Sequence, residues 1–126
     1  MNSILDLFEA ATVSLTRPAP IKDRLADAYR NYLAYVDEDE LPVDVCEEFR
    51  ALTATLTRVT PQLRGDDALR ATVRKMSSND AAEAASAVAR MFGAVSRASM
   101  GASQAEEPTC QAKSVANVVP LHLAQA

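Results

Sequence analysis

The chain has 126 residues, 48% of them hydrophobic, and a formal net charge of −4, which suits one ordinary domain with its own core. Only 5% of the residues are aromatic and 3 are glycines, a composition that disfavours a turn-rich sandwich or barrel. The acidic total argues against a nucleic-acid binder held by bulk charge. The two cysteines and one histidine are too few for a zinc site.

Charge is unevenly distributed along the chain. Residues 1–57 carry 5 basic and 11 acidic side chains, whereas residues 58–101 carry 7 basic and 4 acidic ones. Residues 102–126 carry 1 basic and 2 acidic side chains. An acidic front half and a basic middle favour contact with a charged partner.

The first ten residues, MNSILDLFEA, lack the basic region of a secretory signal. No apolar run approaches the roughly 20 residues that span a bilayer. We therefore expect a cytoplasmic protein without a membrane segment, and with reduced thiols.

Two helices are predicted before residue 37. Ser3 and Asp6 have the spacing of a capping start for a first helix over residues 3–16. Pro18 and Pro20 end that helix, and Pro20 opens a second one that runs to about Val36. The apolar face of the second helix consists of Ile21, Leu25, Ala28, Tyr32 and Tyr35, with Leu33 alongside.

A third helix is predicted from about residue 42, after the acidic run 37–40. Its apolar positions recur 4, 3, 4 and 3 residues apart. Residues 53–60 also alternate β-branched side chains, a strand-like pattern. We predict a helix because its stripe spans more residues than the alternation. The stripe consists of Val45, Phe49, Leu52, Leu56 and Val59.

The segment 65–95 predicts a pair of helices. In the first, Leu69, Val73 and Met76 share one face and Asp66 caps the N-terminus. Ser77, with Asp80 reaching back, begins the second. Its stripe is rich in alanine, which permits close approach of another helix and suits docking onto a partner. The stripe consists of Ala81, Ala85, Val88, Phe92 and Val95, widened by Ala84 and Met91.

From about Ala98 the chain is small, polar and without helical periodicity, which predicts a disordered tail. The predicted fold is therefore all-α, a small bundle or orthogonal array of about five helices over residues 1–97, with a disordered low-complexity tail over 98–126.

No catalytic, cofactor-binding or metal-ligating group is predicted. Cys46 lies in the first turn of a predicted helix, where the dipole can lower a thiol pKa, but a small core residue is the favoured interpretation. The only histidine, His122, falls in the predicted tail. The acidic run 37–40 lacks the alternation and glycine of a calcium loop and is interpreted as a solvated turn. We therefore expect no enzyme and no cofactor.

Residues 88–100, VARMFGAVSRASM, resemble the helix-turn-helix of small DNA-binding regulators. In that motif an alanine and a glycine four residues apart precede a turn serine; Ala89 and Gly93 match, and Ser96 follows one residue later than the motif places its serine. The resemblance implies a turn after Gly93, a second helix near residues 96–99 and contact with DNA. The other interpretation is that Gly93 interrupts or ends an ordinary bundle helix.

Two functions are kept from the sequence. The first is a non-catalytic adaptor or regulatory module that binds a protein partner or itself as a homodimer. The second is a small DNA-binding transcription regulator that uses the imperfect helix-turn-helix and nearby arginines. The predicted partner-binding residues are Arg70, Arg74, Ala81, Ala85, Val88 and Phe92.

Overall fold

The computed structural model describes residues 3–101 and confirms the all-α prediction. These residues form five α-helices and no β-strand. Two short 3₁₀ turns, Leu33–Tyr35 and Glu38–Glu40, join the second helix to the third. The helices are α1 (Ile4–Ser14), α2 (Ile21–Asn31), α3 (Val43–Leu56), α4 (Ala68–Lys75) and α5 (Ser78–Gly101).

The long helix α5 is the centre of the fold. It has 24 residues, so it is about 36 Å long, and it packs against α1, α2 and α3. The shorter α4 packs against α2 and α3. The buried face of α5 consists of Ala81, Ala84, Val88, Met91 and Val95. None of the described helices is both long enough and apolar enough to cross a membrane.

The predicted capping signals of α1 and α5 are present. Ser3 Oγ accepts from the Asp6 N–H at 3.1 Å, and the Asp6 carboxylate accepts from the Ser3 N–H at 3.4 Å. Ser77 Oγ accepts from the Asp80 N–H at 3.0 Å. These side chains satisfy N–H groups that a helix N-terminus leaves without a carbonyl partner.

Helix α2 is shorter than predicted, because the backbone leaves the helical conformation at Tyr32 (φ −132°, ψ −56°). The change of direction buries Leu33 completely and leaves Tyr35 exposed. The sequence had placed Tyr35 on the core face and Leu33 beside it. A tight turn that buries the aliphatic side chain and exposes the phenol therefore overrides the simple helical period.

Helix α3 confirms the choice of helix over strand as far as Leu56. Pro42 lies immediately before the first helical residue, close to the predicted start. Val59 was predicted to be the last residue of the helical stripe, but it lies outside the helix. Its N–H donates instead to the buried Thr72 hydroxyl of α4 at 2.9 Å, which ties the connection after α3 to the next helix.

The cap of α4 is Asp67 and not the predicted Asp66. Gly65 has a positive φ of 82°, a conformation that favours glycine, and it turns the chain before the helix. Asp67 is extended and its carboxylate accepts from the Arg70 N–H at 2.7 Å. Because the chain turns at Gly65, the cap lies one residue later than predicted. Asp66 makes a contact with another side chain instead.

Helix α5 continues without interruption through Gly93 to Gly101. The turn that the resemblance implies after Gly93 is therefore absent, and α5 extends four residues past residue 97. A helical glycine costs only about 1 kcal/mol relative to alanine. Phe92 and Val95, which pack on the core at either side of it, offset that cost. The rest of the predicted tail, 102–126, lies outside the described residues.

We predict that Gly93→Ala stabilises the protein by about 0.5–1 kcal/mol, because alanine loses less conformational entropy in a helix. A Cβ at this position would meet only the mobile end of Arg97, at 3.3 Å. Gly65→Ala is the contrasting variant and should destabilise by about 1–2 kcal/mol, because its φ is positive. Urea unfolding followed by circular dichroism measures both. A loss of stability in Gly93→Ala would contradict the continuous helix.

We also predict that Thr72→Val destabilises by about 1 kcal/mol or more. The Thr72 hydroxyl donates to the Ala68 carbonyl at 2.7 Å and accepts from the Val59 N–H, which the substitution would leave without an acceptor. Thr12→Val is the matched control, because the Thr12 hydroxyl only donates to the Phe8 carbonyl of its own helix. Equal urea midpoints for the two variants would show that the Val59 contact carries no stability.

Candidate interaction surface

Most of the predicted docking face of α5 lies inside the molecule. Ala81 and Val88 are fully buried, and Ala85 and Phe92 are partly buried against the core. The small alanines bring α5 close to its own neighbours, as the sequence had suggested for a partner helix. Ala81 and Val88 are therefore not accessible to a partner in this conformation.

The two predicted arginines, Arg70 and Arg74, lie in a groove between α2 and α4. Lys22 and Arg30 of α2 line the same groove, which has a volume of about 660 Å³. We call it the basic groove. Two carboxylates of α2, Asp23 and Asp27, also line it, together with Ala19, Ala26 and Val73.

Three cations of the basic groove contact other groups of the protein, namely Lys22, Arg30 and Arg74. Arg74 pairs with Asp66 at 3.1 Å, and the Asp66 side chain is only 4% exposed. Arg30 pairs with Asp67 at 3.0 Å. Lys22 Nζ donates to the Arg74 carbonyl at 3.0 Å, where the C-terminus of α4 has free acceptors. These contacts leave little unbalanced positive charge for a polyanion.

Asp67 links the cap of α4 to the basic groove. The Arg70 N–H that it accepts holds the pKa of Asp67 below its ordinary value of 3.8, and the positive charges of Arg30 and Arg70 act in the same direction. Partial desolvation opposes them. The ionised carboxylate therefore stabilises the start of α4 and its attachment to α2.

A second groove, which the sequence did not predict, follows the seam between α3 and α5. It is lined on α3 at positions 44, 48, 51 and 55, just after α3 by Arg58, and on α5 at positions 80, 83, 87, 90, 94 and 97. Both series alternate steps of three and four residues, so each occupies one helical face. The first residues of α3 face the last turns of α5, so the helices run antiparallel. The groove consists of two separate spaces, which we together call the α3–α5 furrow.

The part of the furrow between Glu48 and Arg58 has an apolar floor and a charged rim. Its floor is formed by the buried Leu52, Met76 and Ala84, and its volume is about 400 Å³. Glu48 and Arg90 form an ion pair across it at 3.3 Å. Between that pair and the end of α3, the furrow is open and its further lining residues are Ala51, Thr55, Arg58, Asp80, Glu83 and Ala87.

The other end of the furrow lies beyond the Glu48–Arg90 pair. There the start of α3, from Pro42 to Val45, faces Ala94, Arg97 and Ala98 of α5 across a space of about 360 Å³. We call this part the upper furrow, and the part between Glu48 and Arg58 the lower furrow. The sequence contains a pattern that indicates both parts. On α3, a stripe of small and charged residues runs beside the stripe of apolar residues.

Cys46 lies next to the upper furrow and is 1% exposed, in line with the predicted core position. It is disulfide-bonded. The expectation of a reduced thiol is therefore wrong for this residue. The other cysteine, Cys110, and the histidine, His122, lie outside the described residues.

No group of three or more His, Cys, Asp or Glu side chains in residues 3–101 is arranged to hold a metal ion. No family model matches the chain, and no curated protein or solved structure is significantly similar to it. The two grooves are therefore the candidate functional sites.

We predict that Asp67→Asn weakens the response of stability to acid. Asparagine keeps the capping oxygen but not the charge. Because the folded pKa of Asp67 lies below 3.8, its carboxylate contributes stability above that pH and loses it as the pH falls through the folded pKa. Between neutral pH and acid, the variant should therefore lose less free energy of unfolding than the wild type. Asp27→Asn, in the same groove, is the control, and equal acid responses of all three proteins would contradict the prediction.

Proposed function

We propose that this protein is a non-catalytic binding module whose lower furrow accepts an amphipathic helix of a partner protein. The observation that supports this proposal is the furrow itself, with its apolar floor between two helical faces of regular spacing. Recognition by insertion of a helix into a groove between two helices is a common binding mode.

The dimensions of the furrow suit a helix. Ala51 of α3 and Ala87 of α5 both line it and are small, so a third backbone can approach closely. Met76 adds a side chain that adapts to the shape of an apolar neighbour. A partner helix with small or aliphatic residues at steps of three and four would bury this floor.

The charges of the lower furrow indicate which charge the partner helix carries. Asp80 and Glu83 are exposed on the α5 rim, and Arg58 is the exposed cation near the end of α3. The Glu48–Arg90 pair is exposed on both sides, and such pairs contribute only about 0–1 kcal/mol. A helix with basic residues toward α5 therefore meets a net negative rim and can replace the internal pair at little cost.

DNA binding has less support. The turn of the resembled motif is absent from α5, and Arg74 and Arg30 of the basic groove already pair with Asp66 and Asp67. Self-association, the other form of the interaction hypothesis, would require the furrow to accept a helix of a second copy.

The proposal predicts that Ala51→Arg abolishes partner binding and Ala54→Arg does not. Both alanines are exposed on α3, but only Ala51 lines the furrow. A long cation at Ala51 fills the groove and repels a basic helix. Tagged wild-type and variant proteins are used to capture partners from nuclease-treated extract of the native cell, and the captured partner is then purified and titrated against each protein. Urea unfolding checks that both variants remain folded.

A purified partner that loses at least about tenfold in affinity with Ala51→Arg alone, about 1.4 kcal/mol or more, would support the furrow. Reversal of Asp80 and Glu83 to lysine should then weaken the same partner further. Equal binding by both variants would overturn the proposal. If the captured material is lost on nuclease treatment, the favoured function becomes DNA binding through Arg70 and Arg74. Sedimentation that shows a dimer broken by Ala51→Arg would identify a second copy as the partner.

A further inference from the structure

The charged side chains of the lower furrow are arranged in a regular order along its length. At one end Glu48 of α3 pairs with Arg90 of α5, and the two helices run antiparallel. Arg58 comes ten residues after Glu48, and Asp80 comes ten residues before Arg90, so both lie at the other end. The α3 side therefore carries an acid and then a cation, whereas the α5 side carries a cation and then an acid.

The upper furrow continues the same order. Asp44 at the start of α3 and Arg97 in the last turns of α5 both line it and are exposed. From the upper to the lower end, the α3 side is acidic, acidic and basic, and the α5 side is basic, basic and acidic. Like charges therefore lie on the diagonals of one face. A two-fold axis along the furrow lays α3 of one copy on α5 of another and brings every acid onto a cation.

Three charges of the lower furrow are available for such a contact. Arg58, Asp80 and Glu83 are exposed, and none of them forms an ion pair with another residue of the described range 3–101. Complementary charges on a partner fix its orientation and reject partners of the wrong order. A second copy of this chain supplies the complementary charges in the required order.

We propose that the protein forms a two-fold symmetric dimer in which α3 of each copy lies along α5 of the other, furrow against furrow. The inference rests on the proposed function of the lower furrow and names its occupant, which is α3 of a second copy. Arg58 of each copy then faces Asp80 and Glu83 of the other copy. The helix that approaches α5 thus brings the basic residue that the negative rim requires.

The size and shape of the face set the strength of the dimer. Ala51 and Ala87 are small and lie above the apolar floor, so the four helices can pack closely as a bundle. Between Asp80 and Arg97, α5 is about 26 Å long, and two helices are about 20 Å wide. The face would bury about 500 Å² per copy, or about 1,000 Å² in total, which is small for a specific interface. We therefore expect a weak dimer that forms with rising concentration.

Sedimentation equilibrium of the purified full chain, up to about 1 mM, tests the dimer. The wild type should pass from monomer to dimer within this range. Arg58→Glu and Asp80→Lys should each raise the dissociation constant at least about tenfold, because each creates two like-charge contacts per dimer. Arg64→Glu is the matched control, because Arg64 is exposed, lines neither part of the furrow and gives the same change of net charge as Arg58→Glu.

A mixture of the two charge variants tests the arrangement of the copies. When an Arg58→Glu copy meets an Asp80→Lys copy, opposite charges face each other at one contact, and the native Arg58 and Asp80 face each other at the second. The mixture should therefore associate like the wild type, although neither variant does so alone. Urea unfolding checks that each variant is folded.

A wild type that stays monomeric up to about 1 mM would overturn the proposal. So would a dimer that neither substitution weakens, equal weakening by Arg64→Glu, or a mixture of the two variants that does not associate. The proposed function is judged separately by Ala51→Arg. A monomer that still loses a purified partner through Ala51→Arg has a furrow for a foreign helix, whereas a furrow that binds neither a second copy nor a partner contradicts both proposals.

Discussion

The close approach that alanine permits along α5 is the constraint on which the rest of the fold depends. Ala81 and Ala84 present almost no side-chain bulk, so neighbouring helices can lie close to one long axis. Val88, Met91 and Val95 then fill the space farther along. The absence of tryptophan is consistent with this arrangement, because the core is built from small and aliphatic side chains around a single edge-to-face pair of Phe8 and Phe49 among the described residues.

The sequence predicted the existence of every helix but not all of their ends. Periodicity and caps gave α1 and the start of α5, because a Ser side chain accepting an N–H is a local interaction. The ends of α2 and α3 and the cap of α4 were wrong by a few residues. There the outcome depends on tertiary contacts, such as the burial of Leu33 and the hydroxyl of Thr72, which no local pattern contains.

The partner-binding residues illustrate a related limit. An apolar alanine stripe looks the same in sequence whether it packs on its own chain or on another, and here Ala81 and Val88 pack within the chain. Arg70 and Arg74 line one groove, but the carboxylate that pairs with Arg74 comes from the turn at Gly65. The furrow was missed because it lies between two stripes, and a groove becomes visible only when the packing of two helices is known.

The short helix α4 connects the two grooves. With eight residues it is too short to be stable alone, so it is ordered only through its contacts with α2 and α3. Met76, immediately after α4, forms part of the floor of the lower furrow, while Arg70 and Arg74 of α4 line the basic groove. The floor of the lower furrow and the wall of the basic groove therefore depend on the same short helix, and a substitution that unfolds α4 would disrupt both.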